Sequence, residues 1–202
     1  MATRQNTTSG IEYIPSLPVT SRDVGTKNGS TVSVVEYGNG ILHQTVLTLT
    51  ALPLTLRNVQ QGQGVKIYDF PEGAIVILGA MGSVAETTTS ILADTLNTGV
   101  TYNWGVGTIT QANGTLATTE QNIIQTTNGT ASATINVAGA SSKGVRNTIV
   151  SAALGSGSFD GTSTPADVYF NVGVATADDI DADATTTWTG TITITWLFLG
   201  DQ

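Results

Sequence analysis

The sequence predicts an all-β chain, folded as a single antiparallel β-sandwich, jelly-roll-like, with an extended N-terminal arm. Three observations carry that expectation. Of the 202 residues, 36 are threonine and 23 glycine; threonine is β-branched and suits a pleated surface, while glycine breaks helices and supplies tight turns. Charged residues make up only 11 % against 40 % apolar, the reverse of the balance that keeps a chain disordered. Apolar and polar residues also alternate over short runs bounded by Gly, Pro and Asn, which is the period of a half-buried strand.

Residues 1–30 read as the arm. They hold Pro15 and Pro18, three of the seven basic residues (Arg4, Arg22 and Lys27), and little apolar periodicity. The run Ile11, Tyr13, Ile14, Leu17 is richer than a free tail requires, so a frayed terminus and a strap lying on a neighbouring subunit both stand as readings. Residues 31–202 form the sandwich domain. Its first strand is 31–37, closed by Gly38-Asn39-Gly40; in 41–51, Leu47, Leu49 and Ala51 alternate with Thr48 and Thr50. The parity then flips to Leu52, Leu54 and Leu56, and Pro53 at the switch marks a bulge or a change of sheet.

Gln60–Gly64 reads as a polar turn before a strand at 65–70. Ala74–Leu78 is apolar on both faces, which predicts a central, fully buried strand ended by Gly79 and Gly82. Residues 86–98 fit a threonine-rich strand or a short helix equally. Trp104–Ile109 is a brief strand with Gly105 and Gly107 at alternate positions. Thr118-Thr119-Glu120-Gln121 has the form of a capping box and predicts one short helical turn. Beyond a loop at Asn128-Gly129, β runs follow at 131–137 and 147–154, then a loose stretch at 155–166. Strands at 167–175 and 189–199 close the chain; in the last, Ile192, Ile194, Trp196 and Phe198 share one face and Thr191, Thr193 and Thr195 the other. Strands joined in this way describe a sandwich, jelly roll or related barrel.

Charge and composition exclude several classes of chemistry. The net charge is −8, and no Lys or Arg follows Arg146, so no basic stripe exists for nucleic acid. With no cysteine there are no disulfides, thiolate metal sites or thiol nucleophiles. MATRQNTTSG lacks the apolar core of a signal peptide, and no apolar run approaches the ~18 residues of a membrane span; the expectation is synthesis in the cytoplasm and no membrane partner.

No catalytic or cofactor-binding residue is assigned. His43 is the single histidine, without a second imidazole for a metal or relay, and reads as structural or surface. Among the acids, Glu36, Asp69, Glu72 and Asp167 are candidates for a glycosidase pair, but none is distinguished. Tyr68, Trp104, Trp188 and Trp196 could stack a sugar, with Trp188 expected to be the most accessible. In Asp178, Asp179, Asp181 and Asp183, the alternation Asp179-x-Asp181-x-Asp183 places three carboxylates on one side of a turn, as a Ca2+ site requires. The EF-hand pattern is absent, and the same acids make a solvated hairpin tip. The Gly-x-Gly spellings at 38/40, 62/64, 105/107 and 155/157 read as turns rather than phosphate loops, and the sequons at Asn6, Asn28, Asn113 and Asn128 are expected by chance at this threonine content.

Several segments carry a resemblance. Gly40-Ile-Leu-His-Gln-Thr-Val-Leu-Thr-Leu-Thr50, Val65-Lys-Ile-Tyr-Asp-Phe-Pro-Glu-Gly73, Ala166-Asp-Val-Tyr-Phe-Asn171 and Gly190-Thr-Ile-Thr-Ile-Thr-Trp196, with Leu199-Gly200-Asp201, resemble a family of small tailed-bacteriophage virion proteins. The resemblance covers 40–200 in patches and rests on strand and turn spellings. It implies a capsid decoration, or cement, protein on the capsid exterior of the virion, with the major capsid protein as partner and self-association as a homotrimer. The alternatives are a phage fibre, tail or glycan-binding β-sandwich module, which would need an exposed platform at Trp188 and Trp104, and a carbohydrate-active enzyme.

Overall fold

The computed structural model describes residues 5–6, 12–13, 25–38, 41–57, 60–71, 73–86, 101–111, 113–130, 141–146, 158–160, 167–174 and 183–200. They form two packed antiparallel sheets. The front sheet has the order β10(Ser141–Arg146)-β7(Ala74–Glu86)-β13(Ala184–Gly200)-β5(Leu42–Leu56)-β4(Val32–Gly38), and β11(Ser158–Asp160) also pairs with β7. The back sheet has the order β3(Thr26–Lys27)-β6(Gly62–Asp69)-β12(Asp167–Val174)-β8(Thr101–Gly107)-β9(Ile124–Thr130). A separate ribbon joins β1(Gln5–Asn6) to β2(Glu12–Tyr13). The last residues before β4 belong to the sandwich itself: β3 pairs with β6, and Asn28 N–H donates to Ile67 O at 3.1 Å.

The pairings are nested. β8 pairs with β9, β7 with β10, β6 with β12 and β5 with β13, so the chain from Leu42 onward doubles back on itself. β13 then also pairs with β7, and β12 with β8. Each sheet is therefore completed by one of the last two strands lying at its centre.

The alternation read in the last strand decides what lies between the sheets. Trp188, Ile192, Ile194 and Trp196 of β13 face Val168, Phe170, Val172 and Val174 of β12, and all are buried. The aromatic rings meet edge-on, Phe170 to Trp188 at 5.1 Å and Phe70 to Trp196 at 5.2 Å between centroids, the geometry that ring quadrupoles favour. Trp196 also donates its indole N–H to Thr45 Oγ1 at 2.9 Å, across 151 residues of sequence.

The parity flip in β5 falls earlier than the proline suggests. Leu49 pairs with Gly190 and Leu52 with Trp188, so Thr50 and Ala51 together oppose Thr189; Ala51 takes a positive φ of 49°, and its N–H donates to Thr189 Oγ1 at 3.1 Å. This is a bulge. Pro53 lies beyond the end of β4, whose register stops at Leu49, so its missing N–H is tolerated on an unpaired edge.

β7 corrects the expectation of a fully buried strand. Ile75 and Ile77 are buried, but Leu78 is 38 % exposed, because only one face of the front sheet meets the core. Gly79 and Gly82 do not end the strand, which runs to Glu86. A register shift against Thr195/Trp196 reverses the parity, so that Ala80, Gly82 and Val84 turn inward.

The back sheet's outer face explains two of the Gly-x-Gly spellings. Gly62 and Gly64 lie in β6, Gly105 and Gly107 in β8, and Gly173 in β12, so the 62/64 and 105/107 spellings are strand residues and not turns. The polar turn is confined to Gln60-Gln61, and the expected loop at Asn128-Gly129 is part of β9. On this face the backbone of 109–111 and 113–120 lies flat on the sheet: a Cβ on Gly64 would collide with Asn171 Oδ1, one on Gly107 with Thr119 O, and one on Gly173 with Gly114 O. Asn171 clamps the loop. Its Nδ2 donates to Ile109 O at 2.9 Å and Glu120 O at 2.7 Å, and its Oδ1 accepts Gln111 N–H at 2.8 Å.

The expected helical turn is present at Thr118–Glu120. Glu120 Oε2 accepts the N–H of Ala117 at 2.5 Å, and Gln121 Nε2 donates to Leu116 O at 2.7 Å. The runs expected at 131–137 and 147–154, and residues 87–98, lie outside the described residues.

Two substitutions test this architecture by urea unfolding. Gly190 has φ +149°, and a Cβ there would collide with Ser83 O and stand 2.6 Å from Val84 Cα; Gly190→Ala is expected to cost about 2 kcal/mol or more. Gly29, with φ +81° and its nearest neighbour atom at 4.0 Å, should lose about 1–2 kcal/mol as Gly29→Ala, through backbone conformation alone. Asn171→Leu strands two carbonyls and one N–H at ~1–3 kcal/mol each, so hydrogen exchange over 108–122 should accelerate more than in the rest of the back sheet.

Candidate functional site

The residues that sequence reasoning singled out for chemistry are placed apart. Trp188 and Trp104 are each 1 % exposed, which corrects the expectation that Trp188 is accessible: its position in β13 has inward parity, and its indole N–H donates to the buried Thr186 Oγ1 at 2.9 Å. Neither ring offers a platform for a sugar. Tyr68 and Trp196 are buried as well. His43 is fully buried and stacks on Trp196 with centroids 4.2 Å apart and planes 17° from parallel. Of the aspartate cluster, Asp178, Asp179 and Asp181 lie outside the described residues, and Asp183 is exposed just before β13. Among the described residues no group of three His, Cys, Asp or Glu could hold a metal.

The candidate acids separate onto two faces. Asp69 and Asp167 are cross-strand neighbours on the back sheet, both bound to Lys66, at 2.6 Å and 2.9 Å. Hydrogen bonds to Asp167 and Asp69 raise the Lys66 pKa. Burial and the shared hydrogen bond to Asp167 raise that of Asp69. Burial pushes Asp167 upward too, but hydrogen bonds with Asp69, Lys66 and Tyr169 outweigh it and leave the carboxyl below its ordinary value. A lysine shared between two touching carboxyls neutralises them rather than setting them across a cleft. Glu72 lies outside the described residues.

Glu36 sits between the sheets. Its Oε1 accepts the Tyr68 hydroxyl, the Gly25 N–H at 3.2 Å and the Thr45 hydroxyl at 3.5 Å. Its Oε2 is buried with no hydrogen-bond partner among the described residues. Burial raises its pKa above the ordinary 4.5, against the lowering effect of those three hydrogen bonds. Burial, followed by the neighbouring Glu36, raises the pKa of Tyr68 in turn. The cluster ties front sheet to back sheet and anchors the start of β3.

The remaining feature is a surface. The outer face of the front sheet is built from the alternate residues of β4, β5, β13 and β7, and cross-strand register arranges them in rows. Ser33, Thr48, Thr191 and Ser83 form one row; Val35, Val46, Thr193 and Met81 form the next. Tyr37, Gln44, Thr195 and Gly79 follow, then Leu42, Leu197 and Val76. No outward residue on these four strands is charged, in a chain of net charge −8. Hydroxyls occupy one end of the face and apolar side chains the other, with Met81 47 % and Leu199 53 % exposed. The hydroxyls of Thr55 and Thr185 satisfy one another within the sheet at 2.9 Å.

Sequence reasoning caught one strip of this face in Thr191, Thr193 and Thr195. It missed Val35, Tyr37, Leu78 and Met81, because an exposed apolar residue and a core residue look alike until the strands are placed side by side. Comparisons with protein-family models, curated proteins and solved structures return no match to this chain.

The Glu36 cluster makes a signed prediction. A carboxyl whose pKa is raised on folding contributes stability that is complete below its unfolded value and declines as pH rises through the folded one. Glu36→Gln keeps an acceptor oxygen and removes the titration. The melting temperature of the native chain should therefore fall relative to Glu36→Gln as pH rises from 4.5, and a constant difference across that range would refute the assignment.

Proposed function

We propose that this chain is a structural virion protein, a capsid decoration or cement protein that seats the uncharged outer face of β4, β5, β13 and β7 on the outer surface of a phage capsid. The observation that carries the reading is that face: four strands wide, without a charge, on an otherwise acidic chain. Exposed apolar side chains gathered on one face, as Val35, Tyr37, Leu42, Met81 and Leu199 are, mark an interaction site. The absence of charge suits a partner recognised by shape and apolar contact, since interface cores are depleted in charged residues.

The strand order supports the reading at the level of architecture. Eight strands with nested pairings, in the orders β10-β7-β13-β5 and β6-β12-β8-β9, read as a jelly roll, an architecture that recurs in viral capsid and lectin domains. This is an analogy of fold and carries function only together with the face. On this reading the protein binds without turnover, and the major capsid protein is its partner.

The test is co-sedimentation of the purified protein with bare capsids of the phage that encodes it. Thr193→Lys places an ammonium in the middle of the face and Met81→Lys one on its β7 border, and capsid affinity should drop at least about tenfold, or ~1.4 kcal/mol, with the fold intact. Capsid binding that ignores both substitutions, or binding to host polysaccharide with none to capsids, would sink the reading.

A further inference from the structure

We propose that β4 is a pairing edge through which two copies of this chain join, antiparallel and about a two-fold axis, into one continuous front sheet. The sheet edges differ in how they are guarded against such pairing. At the opposite front edge β10 contains Lys143 and Arg146, with a register shift between them. In the back sheet β3 spans two residues and ends at the exposed Lys27, and β9 meets β8 through a shift between Trp104 and Val106. Short edges, basic residues, bulges and inward-pointing charges are devices that blunt unwanted strand addition. β4 has none of the first three, and its one inward charge, Glu36, is already held by Tyr68 and Gly25. It runs seven residues, Val32–Gly38, without proline, lysine or arginine, keeps an unbroken register against β5, and has no strand on its outer side among the described residues.

The phase of the ladder says which groups this edge offers. Thr50 N–H donates to Thr31 O at 2.8 Å, one step beyond the Val32–Leu49 pair. The hydrogen-bonded pairs with β5 are therefore Ser33–Thr48, Val35–Val46 and Tyr37–Gln44. The N–H and C=O groups of Val32, Val34, Glu36 and Gly38 point away from β5, toward the open side.

Charge selects a second copy as the occupant. Two chains of net charge −8 repel wherever carboxylates approach. The only charged residue of β4, Glu36, turns inward, where Tyr68 and Gly25 hold its carboxyl. Outward stand Ser33, Val35 and Tyr37, the last two 50 % and 45 % exposed. A two-fold axis is self-complementary, so the same seven residues serve both sides. Centred on Val35, it sets Val34 opposite the second copy's Glu36 and keeps the two carboxyls from facing each other. The joined sheets would set the uncharged four-strand faces of the two copies side by side, but the pairing does not depend on what that face binds.

The chain has no cysteine, so Val35→Cys introduces a single thiol. Opposed across a non-hydrogen-bonded antiparallel pair, two such thiols lie within disulfide reach. Mild oxidation of the full chain, without capsids, should convert most of Val35→Cys into a covalent dimer. Met81→Cys, exposed on the same face but in an interior strand, should stay monomeric on a reducing-agent-free gel. Light scattering should give twice the chain mass for the native protein and for Val35→Thr, and a monomer for Val35→Lys with unchanged circular dichroism. A native monomer at every concentration, a three-fold or other oligomer that survives Val35→Lys, or equal cross-linking of the two cysteine variants would each overturn the proposal.

Discussion

Everything in this sandwich depends on the pairing of its first long strand with its last. β5 and β13 run together from Leu42–Leu197 to Leu56–Ala184, and β13 must then accept β7 on its other edge. Until the last strand arrives, β5 and β7 have no common neighbour and the core lacks Trp188, Ile192, Ile194 and Trp196. Both long hydrogen bonds that stitch the interior, Trp196 to Thr45 and Thr186 to Leu54, span more than 130 residues. Contacts of such separation make loop closure precede reward, so folding is governed by non-local pairing rather than by local propensity.

The two outer faces resolve the same problem in opposite ways. The back sheet removes side chains where its own loop lies, so the backbone of 109–111 and 113–120 rests on glycines and Asn171 satisfies three of its polar groups. The front sheet keeps its side chains, pairs the hydroxyls of Thr55 and Thr185 within the sheet, and leaves every charge off the outward positions of β4, β5, β7 and β13. One face is thereby closed from within, and the other is left as the surface on which a partner can be seated. The ion cluster of Lys66, Asp69, Asp167 and Tyr169 lies on the back sheet, away from that surface. The Glu36 carboxyl sits at the front-sheet edge but inside, where it joins the two sheets instead of facing solvent.

Much of the strand content was legible because alternation survives wherever one face is buried. β12 and β13 show it most cleanly, and the parity flip from Leu49 to Leu52 announced a bulge within two residues of its place. The misreadings share a physical cause. Ala74–Leu78 looks buried on both sides because the front sheet's outer face is apolar there; local sequence cannot distinguish a core from an exposed patch. Gly62, Gly64, Asn128 and Gly129 carry turn spellings, but in the strands the glycines serve close backbone approach or are carried by cross-strand hydrogen bonds. Trp188 follows a string of threonines that suggests solvent, but it keeps the two-residue phase of Ile192, Ile194 and Trp196 along β13 and so turns inward with them.

By itself the sequence determined the class of the fold, since threonine, glycine, low charge and a two-residue period leave few alternatives to an antiparallel sandwich. It also determined which chemistries lack their residues, because the absence of cysteine and the single histidine are facts of composition. Only the tertiary structure decided which acids meet, that the tryptophans are interior, that Asn171 holds a loop, and that the uncharged residues of four strands distant in sequence form one surface. Composition and period are local properties and can be read along the chain. A face or a cluster exists only once register sets strands from opposite ends of the chain side by side.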